Sequence, residues 1–260
     1  MAWGRATPGR GAGECSLDPH GPRGVLSYIL TDFDKYSLVW YAHGMKFTPI
    51  QIATKEYVAR NIDPTNAAQM AKVHKLRNDI FVKKLAWVPG HYEDFERDEY
   101  DAYSIFFGVF KGEELLATAR MTPSTGLFMI ERALAYTMEG AKPIQKGEDT
   151  VELSRLGCSP SIIDRTVRTK VSMALYKLLY EWSRENGIRY WYLVSTEAYL
   201  GAIRKKLGIP VAQIGKTFAT EQGEEYYAAV IDLRAAERAL GVFKLLLFRS
   251  FLRPKRMTIR

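Results

Sequence analysis

Val151-Glu152-Leu153-Ser154-Arg155-Leu156 reads as a β-strand with charge set inside it. Side chains alternate across a strand, so Glu152 and Ser154 are expected to point one way and Leu153 and Arg155 the other. A carboxylate and a hydroxyl thereby project into one layer from a strand expected to be central in its sheet. Downstream, residues 169–185 have the spacing of an amphipathic helix and stop at Asn186-Gly187, a helix-ending pair. Residues 188–195, rich in Tyr and Trp, read as a strand, and 196–207 as a helix. Residues 211–218 and 226–233 read as a closing antiparallel pair. Upstream, 103–110 and 115–121 form a hairpin turned at Lys111-Gly112-Glu113. Between 66 and 87, Met70, Val73, Ile80, Phe81 and Leu85 recur at helical spacing. Strands, then strand–helix–strand–helix, then two strands predict an α/β (α+β) sandwich around one mixed sheet, without internal repeats.

Composition sets the limits. The chain has 260 residues, 47% hydrophobic and 25% charged, which is enough for one sizeable core. Residues 1–24, rich in Gly, Pro and Arg, are expected to be disordered. Patterned sequence begins at Gly44-Met45, and Met45 is read as a candidate start. The organisation expected is an extension over 1–44, a domain over 45–234 and a basic apolar tail over 235–260. Two cysteines, Cys15 and Cys158, exclude a disulfide framework, and four scattered histidines give no metal-like cluster. A reducing cytoplasm fits that cysteine usage; no signal peptide and no bilayer-length apolar run are read. The net charge of +8 fits a solvated basic surface or an acidic partner: nucleic acid, anionic lipid or an acidic carrier protein.

Several charges sit amid apolar sequence. Arg77 lies four residues from both Val73 and Phe81, hence on the apolar face of its helix, where a guanidinium needs a carboxylate partner. Asp98 and Asp101 fall in the run Glu96-Arg97-Asp98-Glu99-Tyr100-Asp101, and Arg120 ends the hairpin's second strand. Spacing alone is equally consistent with a charge network that pins the first helix to the sheet.

Leu76-Arg77-Asn78-Asp79-Ile80-Phe81, Leu85-Ala86-Trp87, Asp98-Glu99-Tyr100-Asp101, Ala119-Arg120-Met121-Thr122-Pro123-Ser124-Thr125-Gly126 and Phe128-Met129 follow one another at separations that resemble the acyl-homoserine lactone synthases. The strand around Glu152 is similar to that family's most recognisable one, and the resemblance runs from about residue 45 to 233. It implies a three-layer α-β-α fold like that of the GNAT acyltransferases, around a mixed, mostly antiparallel sheet. It also implies a reaction. The amine of S-adenosylmethionine attacks an acyl thioester, and the methionyl carboxylate then displaces methylthioadenosine to close a lactone. S-adenosylmethionine is a substrate, and no prosthetic group or metal is implied.

The family's functional positions carry over to Arg77, Phe81, Trp87, Asp98, Asp101, Arg120, Glu152, Ser154 and Arg155. The residue types suit the chemistry. The attacking amine must be neutral, which calls for a base, and Glu152 is the candidate. Asp98 and Asp101 suit a cationic sulfonium and amine, and an arginine fork suits the methionyl carboxylate. Phe81 and Trp87 suit stacking and cation–π cover of the adenosyl group. No glycine-rich pyrophosphate loop follows Arg155, which favours a thioester on acyl carrier protein over free acyl-coenzyme A. A carrier footprint is expected at Arg165, Arg168, Lys170, Lys177, Arg204, Lys205 and Lys206. Those basic residues cluster on two helices instead of alternating with aromatics, so nucleic acid is not an expected partner.

Three alternatives stay open at this point. An N-acyl amino acid synthase would share the acyl transfer and form no lactone; the Arg77, Phe81 and Trp87 set favours the lactone synthase. Thr196 either helps to recognise a 3-oxo acyl group, as the resemblance suggests, or simply caps the following helix. The tail, with Val242, Phe243, Leu245, Leu246, Phe248, Phe251 and Leu252 beside Lys244, Arg249, Arg253, Lys255 and Arg256, reads as a docking helix or as a weak membrane-surface contact.

Overall fold

Alternation within Ile105-Phe106-Phe107-Gly108-Val109-Phe110 sends apolar side chains to both faces of one strand, and both faces carry helix. Phe107 and Val109 join the larger core, while Phe106 and Phe110 join a smaller one on the other side. The computed structural model describes residues 40–42, 45–88, 94–220, 223–250 and 255–256. The disorder expected for residues 1–24 lies outside the described residues.

In chain order the elements are β1 (Trp40–Ala42), β2 (Met45–Phe47), β3 (Ile50–Ala53), β4 (Val58–Ile62), α1 (Ala67–Arg77), β5 (Ile105–Lys111), β6 (Glu114–Pro123) and β7 (Thr150–Cys158). They continue with α2 (Arg165–Glu185), β8 (Tyr190–Thr196), α3 (Glu197–Ala202), β9 (Ala212–Ala219), β10 (Glu225–Asp232), α4 (Leu233–Ser250) and β11 (Lys255–Arg256). β1 and β2 form a small antiparallel pair, so strand structure begins ahead of Met45. The main sheet runs β11-β3-β4-β5-β6-β7-β8-β10-β9. Every neighbouring pair is antiparallel except β7 and β8, which are parallel. The larger core takes in Val171, Leu175, Leu178 and Trp182 of α2, and the smaller takes in Met70, Val73 and Leu76 of α1. This is the expected three-layer arrangement, with β7 central.

Local chemistry sets the ends of the helices. The Asn66 side chain accepts from the Gln69 N–H at 3.0 Å and starts α1. Asp164 accepts from the N–H groups of Thr166 and Val167, which starts α2 four residues ahead of the apolar period. The single helix expected over 66–87 changes geometry after Arg77. Asn78–Lys84 is a π-helical turn, closed by the Leu85 N–H donating to Ile80 O at 2.9 Å. Such widened turns are concentrated at functional sites.

β3 and β4, which the sequence does not announce, are short and carry polar Gln51, Arg60 and Asn61. Asn61 is buried and its side chain accepts from the Ile50 N–H at 2.9 Å. The stretch read as a tail from residue 235 holds a helix packed against the sheet layer, in keeping with its docking-helix reading. α4 starts at Leu233, bends at Gly241 (φ 69°), and is followed by β11, which pairs with β3 at the sheet edge. Among the described residues no helix is long and apolar enough to cross a membrane.

Candidate active site

Glu152 lies on β7 opposite Thr122 of β6, on the α1 side of the sheet. Its carboxylate accepts from two backbone N–H groups, Met129 at 2.7 Å and Ile130 at 2.9 Å. These amides belong to a short 3₁₀ turn, Met129–Glu131, which Glu131 fastens by accepting from the Phe128 N–H. Burial raises the Glu152 carboxyl to about 7, against the pull of the two amides and of Arg120. A buried carboxyl that titrates near neutrality has the property of a general base.

Beside it, three guanidiniums interlock with three carboxylates. Arg77 donates to Glu96, bonds Asp101 at 2.7 Å and lies 3.6 Å from Asp98. Arg120 pairs with Asp98, bonds Asp101 at 2.7 Å and donates through Nε to the Ser154 hydroxyl at 3.0 Å. Arg155 reaches Glu96 at 2.8 Å and Asp98 at 3.0 Å. The cluster joins α1, the 94–101 segment, β6 and β7, so it also pins the first helix to the sheet. Burial alone would raise the Glu96 carboxyl, but Arg77 and Arg155 hold it at about 2. Asp101 is lowered in the same way by Arg77 and Arg120 despite its burial. Asp98 and Asp101, expected to face substrate cations, are turned to arginines, because the guanidiniums are themselves buried and need partners.

Arg155 corrects the simple alternation. It was expected to share a face with Leu153, yet it reaches the same carboxylates as Arg120. Between the pairs Thr118↔Gly157 and Arg120↔Ser154, β7 uses one residue more than β6, and Arg155 adopts φ 50°. This β-bulge re-aims the side chain. Just beyond it, a Cβ on Gly157 would stand 3.1 Å from the Ile80 side chain, so the absence of one lets the π-helical turn lie close on the strand.

β7 and β8 keep parallel register only from Thr150↔Tyr190 to Glu152↔Tyr192. Beyond that a cleft of about 250 Å³ opens, with Ser154, Arg155 and Gly157 on one wall and Val194 and Ser195 on the other. Phe81 and Trp87 also line it, their ring centroids 6.4 Å apart. Trp87 is 44% exposed, a large aromatic surface left open at the mouth. Behind the cleft, between the sheet, α2 and α4, lies a second cavity of about 250 Å³, almost wholly apolar, which shares Leu153, Leu193 and Tyr199 with the first. Ala236, Glu237 and Leu240 of α4 wall it, so the stretch read as a tail forms part of the cavity.

Of the basic residues expected to form one footprint, Arg165, Lys170, Lys205 and Lys206 are exposed. Lys177 is not part of such a surface: it is 0% exposed and bonds Glu181 at 2.6 Å, because its position on α2 faces inward. Arg204 is tied to Glu197 at 2.6 Å and donates to the Tyr227 hydroxyl, and Arg168 donates to the Ile162 carbonyl and lines the cleft. Thr196 is buried and its hydroxyl accepts from the Tyr199 N–H at 3.4 Å, which is the capping role. Thr196→Val is therefore expected to cost about 1 kcal/mol of stability, as lost caps do. It should leave the preference between 3-oxo and unsubstituted acyl donors unmoved; thermal melts and a competition assay check the two parts.

Three features escaped the sequence reading: Glu96 as the most buried carboxylate of the cluster, the amides of Met129 and Ile130, and the apolar cavity. Only Phe128-Met129, already notable in the sequence, lay close to any of them.

A split parallel pair in a mixed sheet, a buried carboxyl beside the split and an apolar cavity behind it define a GNAT-like acyltransferase. The family described as autoinducer synthase matches residues 62–239, and the chain belongs to it. The acyl-homoserine-lactone synthase of Agrobacterium fabrum is 26% identical over 157 residues, covering 58% of this chain and 72% of the relative. That of Aliivibrio fischeri is 26% identical over 144 residues, covering 54% and 73%. Among solved structures, the AHL synthase LasI superposes with a TM-score of 0.60 at 18% identity, over 73% of this chain and 98% of its own. The CoA-dependent acyl-homoserine lactone synthase BjaI, solved with SAM and isopentyl-CoA, gives 0.59 at 18% identity over 73% and 86%.

Proposed function

We propose that this chain joins an acyl group to the amine of S-adenosylmethionine and then closes the homoserine lactone. The observation that carries the reading is Glu152, buried, poised near neutrality and set where β7 and β8 part. In the first step the amine nitrogen bonds to the thioester carbonyl carbon, Glu152 takes the amine's proton, the carbon–sulfur bond breaks, and the departing thiolate takes up that proton to leave as a thiol. The two backbone donors occupy one lone pair on each Glu152 oxygen, and each oxygen keeps another for that proton. Backbone N–H groups on the parted strands have no partner strand across the cleft and suit the developing oxyanion. In the second step the methionyl carboxylate attacks the carbon bearing the sulfonium, and methylthioadenosine departs. That step needs mostly alignment.

The other residues take roles around these two steps. Phe81 and Trp87 supply the aromatic cover for the adenosyl group. The Arg77–Arg120–Arg155 cluster holds a rigid, charge-balanced wall beside Ser154. One buried Arg77 Nη2 has no hydrogen-bond partner, a donor suited to the methionyl carboxylate. The acyl chain enters the cleft and lies in the apolar cavity behind it. Mass spectrometry of organic extracts from cells expressing the protein tests the reading. A lactone-ring fragment supports it, and an N-acyl amino acid in its place would overturn the lactone step.

The acyl donor is acyl carrier protein in this reading. Ile163, 92% exposed, and Leu207 are apolar points next to Arg165, Lys170, Lys205 and Lys206, a setting matched to an acidic partner with an apolar spot. Charge reversal at two or more of those four is expected to raise the KM for the acyl carrier several-fold and to flatten its salt dependence. Parallel kinetics with acyl-coenzyme A separate a carrier-protein surface from simple phosphate attraction, and unchanged carrier kinetics would remove the footprint.

A further inference from the structure

Lys146 reaches back along the chain and grips the turn that supplies both backbone donors to Glu152. Its ammonium donates to the Gly126 carbonyl at 2.6 Å and to the Glu131 carboxylate at 2.7 Å, and it stands 4.1 Å from the centre of the Phe128 ring. Those three residues bracket Met129 and Ile130, whose N–H groups bond Glu152. Glu131 in turn accepts from the Phe128 N–H at 2.8 Å. The Lys146 side chain is only 20% exposed, unlike a solvated surface pair. Its backbone adjoins Gly147, whose carbonyl accepts from the Thr150 N–H at 3.1 Å where β7 begins. One side chain therefore ties the strand that carries Glu152 to the turn that binds its carboxylate. Tyr103 also holds the turn, by donating to the Leu127 carbonyl at 3.2 Å, but it brings no positive charge.

We infer that Lys146 is a positioning residue, one that holds the 126–131 segment against Glu152 and so governs how readily that carboxylate takes a proton. The inference rests on the reading of Glu152 as the base of acyl transfer. Two physical effects carry it. The first is mechanical: N–H groups held toward a carboxylate favour its charged form. The second is electrostatic: the Glu131 charge opposes that of Glu152, and the ammonium bonded to Glu131 offsets it. Loss of Lys146 weakens the first and unmasks the second, and both changes make Glu152 more basic. Loss of the Glu131 charge acts the other way, since a glutamine there can still accept from the Phe128 N–H while the opposing charge is gone. The other titratable groups set around Glu152 are Arg120 of β6, Tyr100 of the Glu99–Tyr103 turn and Tyr192, its register partner on β8. Both substitutions leave them in place.

The test follows the Glu152 proton in the full chain by two measurements. One is the infrared carbonyl band of the protonated carboxyl, assigned by its loss in Glu152→Gln and titrated without substrates. The other is the pH profile of acyl transfer at saturating S-adenosylmethionine and acyl thioester, followed by mass spectrometry. Lys146→Met is expected to move the inflection up from about 7 by about one pH unit in both. Well below the inflection, acyl transfer should then be about tenfold slower than in the wild type, and the gap should close at alkaline pH. Lys146→Arg, which keeps the charge and the donors, is expected to restore the wild-type inflection. Glu131→Gln should move it down, and it carries the test if Lys146→Met does not fold. A folded Lys146→Met that is slower at every pH with an unmoved infrared inflection overturns the inference. So does a shift in Lys146→Arg as large as that in Lys146→Met, or an inflection in Glu131→Gln that does not fall. An infrared inflection that moves while the rate profile stays put would sink Glu152 as the base and leave the positioning role standing.

Discussion

Glu152→Gln is expected to slow acyl transfer by about two to four orders of magnitude, the usual cost of removing a general base. The wild-type rate should rise with pH through an inflection near 7, where the raised Glu152 carboxyl gives up its proton, and the variant should lose that inflection. Stability must move in the opposite sense. A carboxyl whose folded value is raised from 4.5 to about 7 favours the fold most below 4.5, and that contribution is lost as pH rises through 7. Glutamine carries no charge to bury, so its melting temperature should fall less between pH 5 and pH 8 than that of the wild type. Some stability is lost at every pH because an amide has one acceptor oxygen for the two N–H groups of Met129 and Ile130. Rates by product quantification and melts across pH 5–8 check both halves. Near wild-type turnover by a folded variant would remove Glu152 as the base.

Arg77→Met is expected to cost about 3–5 kcal/mol of folding stability, the range for breaking a buried ion pair from one side. The Arg77 side chain is 1% exposed, and its loss leaves Glu96 with Arg155 alone and Asp101 with Arg120. The pH signature is distinct from that of Glu152. Glu96 is lowered from 4.5 to about 2, so its contribution is present above 4.5 and disappears as pH falls toward 2. Without Arg77 the acid unfolding limb should move to higher pH. Urea denaturation at pH 7 and acid titration of the two proteins measure these effects. A variant within 1 kcal/mol of wild type would show that Glu96 and Asp101 find adequate partners elsewhere.

How much of this was legible beforehand depends on the range of the interaction. Alternation placed Glu152 and Ser154 on one face correctly because it is a property of neighbouring residues along one strand. The helical period placed Arg77 on a buried face and called for a carboxylate, and the fold supplies Glu96 and Asp101. Arg155 escaped because a bulge depends on how β6 and β7 register, and no glycine stands at the position with positive φ. The π-helical turn escaped because the apolar period of Met70, Val73, Ile80 and Phe81 barely distinguishes four-residue from five-residue closure. Lys177 looked like surface charge because only the packing of α2 shows which way it faces. α4 looked separable because its composition changes where the sheet ends, while Ala236, Glu237 and Leu240 still reach the cavity wall.

A β-sheet ordinarily has two free margins, and an exposed margin invites pairing with whatever extended chain drifts past. Because β7 and β8 part after Glu152↔Tyr192, this sheet has a third margin inside it, with two strands offering backbone groups across a gap. Proteins commonly blunt their outer margins with charge or irregularity. Here the inner one is covered, since Ile80, Phe81 and Trp87 line the gap alongside its strands. In the acyl-transfer reading proposed above, the acyl donor enters through this gap. Backbone that would be an aggregation hazard at the periphery becomes the wall of a covered cleft once it is moved to the middle of the sheet.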